Sequence, residues 1–91
     1  MDNLESLRKE MDAVDAQMAA LFERRMQLSR EIAVFKAAHG LGAVDPSREE
    51  EIIRQGSAVV GDPDVRAFYV RFQKNVLSLS REWQQQNKEK L

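Results

Sequence analysis

The sequence contains no cysteine, only two prolines and four glycines, and a single tryptophan and a single tyrosine among 91 residues. Without cysteine it can form neither a disulfide framework nor a thiolate metal site. No apolar run approaches the length of a signal peptide or of a membrane span. These absences exclude a disulfide scaffold and predict a cytoplasmic protein.

The sequence also lacks an excess of either positive or negative charge. Fourteen Lys and Arg residues face fifteen Asp and Glu residues, the net charge is −1, and no basic block stands out. A nucleic-acid-binding protein would be expected to carry a basic face with excess charge. The hydrophobic content of 43% with 32% charged residues is typical of a soluble globular chain. We predict one domain over residues 1–91, with a small core.

The longest uninterrupted segment runs from Leu4 to Lys36 and contains neither glycine nor proline. Its apolar residues are spaced alternately by three and four: Leu4, Leu7, Met11, Val14, Met18, Leu21, Leu28, Ile32 and Phe35. This pattern predicts one amphipathic helix about 50 Å long, beginning at Asp2 or Asn3 and ending near Gly40. The rest of the chain cannot cover such a helix unless it runs back along it twice, so we expect a second chain to do so.

Two further helices follow. Asp45-Pro46 is a strong helix start, although Ser47 and Glu50 offer a competing capping box. Asp62-Pro63 repeats the start signal and opens a third helix. Its apolar positions are Val65, Phe68, Phe72, Val76, Leu79 and Trp83. No strand-like alternation is long enough to count. The sequence therefore predicts an all-α chain with a long first helix, a short second helix and a longer third one.

Candidate functional residues are polar side chains at positions where packing calls for apolar ones. Arg25 occupies the stripe position between Leu21 and Leu28, and Lys36 lies only about 20° from it around the helix. Arg8 is rotated by about 100° from Arg25 and displaced by about 25 Å, so the two cannot share a small ligand within one chain. An antiparallel partner helix could bring Arg8 to such a ligand, with two equivalent sites per dimer.

Each candidate also has a structural interpretation. Arg8 could pair with a neighbouring carboxylate, Lys36 could favour the negative end of the helix dipole, and Arg25 could extend its stem along the seam. The others could be ordinary polar residues of a first helical turn or of a solvated face: Arg48, Glu49, Ser80 and Gln84.

As an ordered set, these residues resemble the AroQ-type chorismate mutase family over nearly the whole chain. The matching elements are Arg8, Glu23-Arg24-Arg25, Lys36, Val44-Asp45-x-x-Arg48-Glu49 and Ser80-Arg81-Glu82-Trp83-Gln84. The resemblance implies an intertwined homodimer with antiparallel long helices and pockets built from both chains. It also implies conversion of chorismate, a dianion, to prephenate by an intramolecular Claisen rearrangement in aromatic amino-acid biosynthesis, with no metal or organic cofactor.

The resemblance carries roles over one residue at a time. Arg25 and the partner chain's Arg8 would clamp the two carboxylates, and Lys36 and Gln84 would donate to the breaking ether oxygen. Glu49 would accept from the ring hydroxyl, helped by the backbone near Asp45. Arg48 would position Glu49 and add positive potential, and Ser80 would contact a carboxylate.

Some points stay open on the sequence alone. An ungapped continuation from Arg48 would put Arg81 and Gln85 in the roles assigned to Ser80 and Gln84. An isochorismate-pyruvate lyase of the same fold is an alternative, although such lyases tend to have an apolar residue where this chain has Glu49. A non-catalytic helical dimerisation module is the third hypothesis. The sequence also leaves open whether the chain acts alone or as part of a bifunctional protein.

Overall fold

The computed structural model describes residues 2–42 and 44–90, with the side chains of residues 3–42 and 44–86. It contains three helices: α1 over Asp2–Ala38, α2 over Pro46–Val59 and α3 over Pro63–Lys90. No strand occurs in the described ranges. The predicted all-α class with three helices is confirmed.

Glycine ends α1 where the sequence predicted. Gly40 has a φ of 66°, in the left-handed region that glycine adopts without steric cost. The backbone N–H of Leu41 then donates to the carbonyl of Lys36 at 2.9 Å, and that of Gly40 to Ala37 at 3.5 Å. This pattern is a Schellman motif. It turns the chain sharply just past Lys36.

The second helix begins at the first of its two candidate starts. Asp45 is the N-cap, its carboxylate accepts from the backbone N–H of Arg48 at 3.1 Å, and Pro46 is the first helical residue. No residue of α2 is buried. The helix approaches α3 closely at Gly56, where an added Cβ would collide with the ring of Tyr69. A small residue is needed there for α2 to pack on α3.

Side-chain contacts define the directions of the helices. Arg25 of α1 contacts Ser80 of α3, and the carbonyl of Ser29 of α1 contacts Gln84 of α3. Residue numbers increase in the same direction along both helices, so α1 and α3 run parallel. Between α2 and α3 the order is reversed. Glu49, in the first turn of α2, meets the C-terminal half of α3 at Arg81, while Gly56 meets Tyr69 in its N-terminal half.

The core of the single chain is very small. Among the described apolar side chains only Val76 and Leu77 are buried. Val76 belongs to the predicted stripe, whereas Phe68 and Phe72 of the same stripe are exposed and Leu77 was not predicted. Because α3 packs against both α1 and α2, its inward surface is wider than one stripe. None of the described helices is long and apolar enough to cross a bilayer.

The N-terminal half of α1 projects from the rest of the chain. Every residue from 3 to 24 is exposed, including the apolar residues of the predicted stripe in that range. The radius of gyration is 16.5 Å, against about 12 Å for a compact domain of this length. The chain therefore leaves much of its apolar surface unpacked.

Arg66 fixes the C-terminal end of α2 to α3. Its partly buried guanidinium donates to the carbonyls of Ser57 at 3.1 Å and of Val60 at 2.8 Å, at the end of α2. The Ser57 carbonyl also accepts from the backbone N–H of Val60. Nε of Arg66 also donates to the Val60 carbonyl at 3.1 Å, and a fourth bond, at 3.5 Å, reaches the carbonyl of Gly61.

We expect Arg66→Met to lower the free energy of unfolding by about 2 kcal/mol, because charge-assisted hydrogen bonds to helix-end carbonyls are lost while the apolar stem is kept. Chemical denaturation at fixed protein concentration measures the change. Arg54→Met, which removes an exposed arginine from α2, is the matched control and should change stability by less than about 0.5 kcal/mol. Equal effects of the two substitutions would contradict the anchoring role.

Candidate active site

Arg25 lies between two faces of α1, the one that packs on α3 and the exposed apolar stripe. Ser29 and Ala33, which face α3, lie about 40° and 80° from Arg25 around the helix. Leu21 and Leu28, in the exposed apolar stripe, lie about 40° and 60° to the other side. Arg25 therefore stands at the boundary between the face packed on α3 and the face left bare.

The C-terminal half of α1 and the C-terminal half of α3 are joined by polar contacts. Arg25 Nη1 donates to Ser80 Oγ at 2.6 Å, and Gln84 Nε2 donates to the carbonyl of Ser29 at 3.1 Å. Ser80 is 7% exposed and Ser29 is 6% exposed. Buried polar groups require hydrogen-bond partners, and these pairs supply one for the Ser80 hydroxyl and one for the backbone carbonyl of Ser29. The sequence-predicted residues Arg25, Ser80 and Gln84 thus come together on one face.

A cavity of about 540 Å³, which we call the Lys36 cavity, lies at the C-terminal ends of α1 and α3. Its lining residues include Lys36, Val44, Arg81, Gln84 and Gln85. Lys36 and Gln84, both predicted as donors to one reacting oxygen, therefore share a single space. The cavity has the size expected for a site that encloses a small molecule.

The first turn of α2 is linked to the wall of this cavity by Glu49. Its Oε1 pairs with Arg81 Nη1 at 2.5 Å, which ties α2 to α3. Arg48, predicted to position Glu49, instead pairs with Glu51 on its own helix. Asp45 supplies the helix cap that orients this turn.

Arg8 is not brought to the other candidates within the chain. It lies on the projecting half of α1 and is exposed. Since α1 is one continuous helix, the separation of about 25 Å from Arg25 expected from the sequence applies.

Trp83 packs against α1. Its indole N–H donates to the carbonyl of Met26 at 2.9 Å, and it lines a groove with Arg24, Val34 and Phe35 rather than the Lys36 cavity. A tryptophan so anchored leaves the Lys36 cavity open.

Sequence reasoning missed Arg81 as a contributor to the site. It was considered only as a competitor of Ser80 for one position, whereas the structure gives the two residues different places. Ser80 is buried against Arg25, while Arg81, one position further around the helix, lines the cavity and meets Glu49. The signal in the sequence was the order Ser80-Arg81, since neighbouring helical residues differ by about 100° in direction.

An apolar groove of about 730 Å³ lies on the side of α1 and α3 away from α2's first turn. Met18, Leu21 and Phe22 line it from α1, and Phe68 and Phe72 line it from α3. Arg25 stands at its edge. Among the described side chains, those of residues 3–42 and 44–86, no group of His, Asp and Glu is arranged to hold a metal ion.

The sequence model of one protein family, described as chorismate mutase type II, matches residues 7–85. The chain belongs to the chorismate mutase type II family. The match confirms the resemblance found in the sequence and identifies the protein as an isomerase. No curated protein matches the chain. The matched residues include parts of all three helices. The family acts on chorismate, and the cations at the boundary of α1 belong to the matched region.

We expect Asp45→Ala to destabilise the protein by about 1 kcal/mol, because the backbone N–H of Arg48 loses its acceptor at the start of α2. Asp45→Asn keeps a capping oxygen and serves as the control. Thermal unfolding of both variants at equal concentration measures the difference. The capping role would be refuted by an Asp45→Ala variant as stable as the Asp45→Asn variant.

Proposed function

We propose that this chorismate mutase converts chorismate to prephenate by an intramolecular Claisen rearrangement, as a step of aromatic amino-acid biosynthesis. The observation that carries the proposal is the row of polar groups on the boundary of α1. Arg25 with Ser80, followed by Lys36 with Gln84, places donors where an apolar residue would pack better. A charge at such a position costs desolvation free energy, which binding of a dianion offsets.

The proposed catalysis is electrostatic and conformational. The rearrangement makes one carbon–carbon bond and breaks one carbon–oxygen bond within a single molecule, so it needs no nucleophile from the protein. Negative charge grows on the ether oxygen as that bond breaks, and Lys36 and Gln84 donate to it. One preorganised donor of this kind is worth about 3 kcal/mol of activation free energy. The site also holds the side chain of the substrate over the ring. This conformational restriction lowers the activation free energy further.

The carboxylates of the substrate require planar cationic partners. Arg25 is one, with its guanidinium held by Ser80. An arginine fork matches a carboxylate with two parallel hydrogen bonds. Arg8 from a second chain is the other in this proposal, because no conformation of a straight α1 brings its own Arg8 to the cavity.

A homodimer with antiparallel α1 helices satisfies this requirement geometrically. The helix spans residues 2–38, so its middle is residue 20. A two-fold axis there places residue 8 of one chain opposite residue 32 of the other. That position lies between Arg25 and Lys36, on the same exposed stripe.

The exposed apolar surfaces support the same assembly. The stripe on residues 3–24 is bare, and the apolar groove between α1 and α3 is lined by aromatic and aliphatic side chains. Burial of apolar area contributes about 25 cal/mol per Å². A second copy supplies a surface of matching character to both, and the chain then gains the core that it lacks alone.

We expect the protein to consume chorismate, measured by loss of absorbance, and not isochorismate. Arg25→Leu should reduce kcat/KM about a thousandfold while leaving a folded dimer by sedimentation and circular dichroism, since the lost cation binds substrate and the new side chain continues the stripe. Arg30→Leu, at an exposed position of the same helix, is the matched control and should change kcat/KM by less than about threefold.

These measurements separate the three hypotheses. Full activity of the Arg25→Leu variant would end the proposed mutase mechanism. A dimerisation module would show no turnover and a gain of stability from Arg25→Leu. Release of pyruvate from isochorismate would identify the lyase.

We expect a mixture of inactive Arg8→Ala and Lys36→Ala chains to recover about a quarter of the wild-type activity. Random pairing makes about half of the dimers mixed, and each mixed dimer has one intact site out of two. The control mixture is Arg25→Ala with Lys36→Ala, where both lesions fall in pockets of their own chains and each mixed dimer has two damaged sites. Equal recovery in both mixtures, after exchange is verified, would contradict sites built from two chains.

A further inference from the structure

Arg81 lines the Lys36 cavity, and its ion pair with Glu49 joins α3 to the first turn of α2. Arg81 Nη1 is 2.5 Å from Glu49 Oε1, across 32 residues of sequence. The side chains are 43% and 26% exposed. A pair this accessible contributes about 0–1 kcal/mol to stability. Its geometric effect at the cavity is the larger one.

The cation beside Glu49 comes from α3 and not from α2. Arg48, the neighbour of Glu49 in sequence, is engaged with Glu51 and is 57% exposed. Arg81 lines the same cavity as Lys36 and Gln84. Glu49 is thus held by a residue of another helix, one that lines the cavity itself.

A single guanidinium contact restricts a carboxylate without using its full capacity. Glu49 Oε1 accepts from Arg81, and the second carboxylate oxygen keeps its capacity to accept a hydrogen bond from a hydroxyl group. The fixed fork of arginine also holds the plane of the carboxylate better than a lysine would. Without this contact the Glu49 side chain would be free to sample several staggered rotamers.

We propose that Arg81 is a positioning residue for substrate binding, which holds Glu49 so that its second oxygen accepts a hydrogen bond from the ring hydroxyl of chorismate. This inference rests on the proposed mutase function. The ring hydroxyl takes no part in the bonds that form or break. Arg81 therefore acts on ground state and transition state alike and governs KM rather than kcat.

The test is a double-mutant cycle on the whole chain with chorismate as substrate. Arg81→Met should raise KM about five- to tenfold with kcat within twofold, and Glu49→Gln should raise it at least as much. In the Glu49→Gln background Arg81→Met should have less than a twofold further effect, because the charge that it held is already gone. Arg81→Lys should restore KM to within about threefold of wild type.

Controls separate positioning from folding. Lys74→Met removes a cation from an exposed position on nearly the same face of α3, two turns earlier, and should leave KM unchanged. Thermal unfolding of each variant is measured in parallel. If Arg81→Met does not fold, Arg81→Gln takes its place in the cycle.

An unchanged KM in Arg81→Met or in Glu49→Gln would overturn the proposal. So would a KM increase of equal size in the wild-type and Glu49→Gln backgrounds, which would place Arg81 directly on the substrate or in the fold. Failure of the wild-type protein to consume chorismate would reject the proposed function itself. Failure of the cycle in an active enzyme would reject only the role of Arg81.

Discussion

The structure depends on one mismatch of length: α1 is longer than the part of its own chain that can cover it. Burial against α3 begins only past the middle of α1, and residues 3–24 stay exposed. A helix of this kind is stabilised mainly by packing of its apolar face, not by intrinsic propensity. The folding of this chain alone therefore leaves apolar surface of α1 unpacked, and the candidate site lies where the covered and uncovered parts of α1 meet.

The second helix is held in place by a different kind of interaction. It buries no residue of its own, yet it carries the Asp45 cap and Glu49. Arginines of α3 hold both of its ends, Arg66 at the carbonyls of Ser57 and Val60 and Arg81 at the first turn. Between them Gly56 allows Tyr69 to approach. Polar contacts at both ends therefore determine the position of α2. The helix buries too little apolar surface for packing alone to do so.

Short local sequence signals made the helix boundaries predictable. Asp45-Pro46 and Gly40 act through their own backbone geometry, so the helix boundaries could be predicted without knowing what packs where. Arg25 was recognisable because it interrupts a periodic stripe. The partners of Arg81 and Trp83 were not predictable, because each depends on how two helices far apart in sequence are rotated against each other. Arg48 pairs with Glu51 three residues further along α2, a local contact that the resemblance did not imply. The sequence left open whether Ser80 or Arg81 fills one position of the site on α3. The structure shows Arg81 paired with Glu49.

The bare stripe of α1 has a consequence for variation. In the proposed dimer each stripe residue occurs twice, at positions related by the two-fold axis, so one change in the gene alters both copies and both pockets at once. A loss of about 1 kcal/mol per chain becomes about 2 kcal/mol per assembly, comparable to a roughly thirtyfold change in the dimerisation constant. Substitutions along this stripe are therefore under tighter constraint than their exposure in a single chain suggests, whereas the outward face of α1 is free to vary.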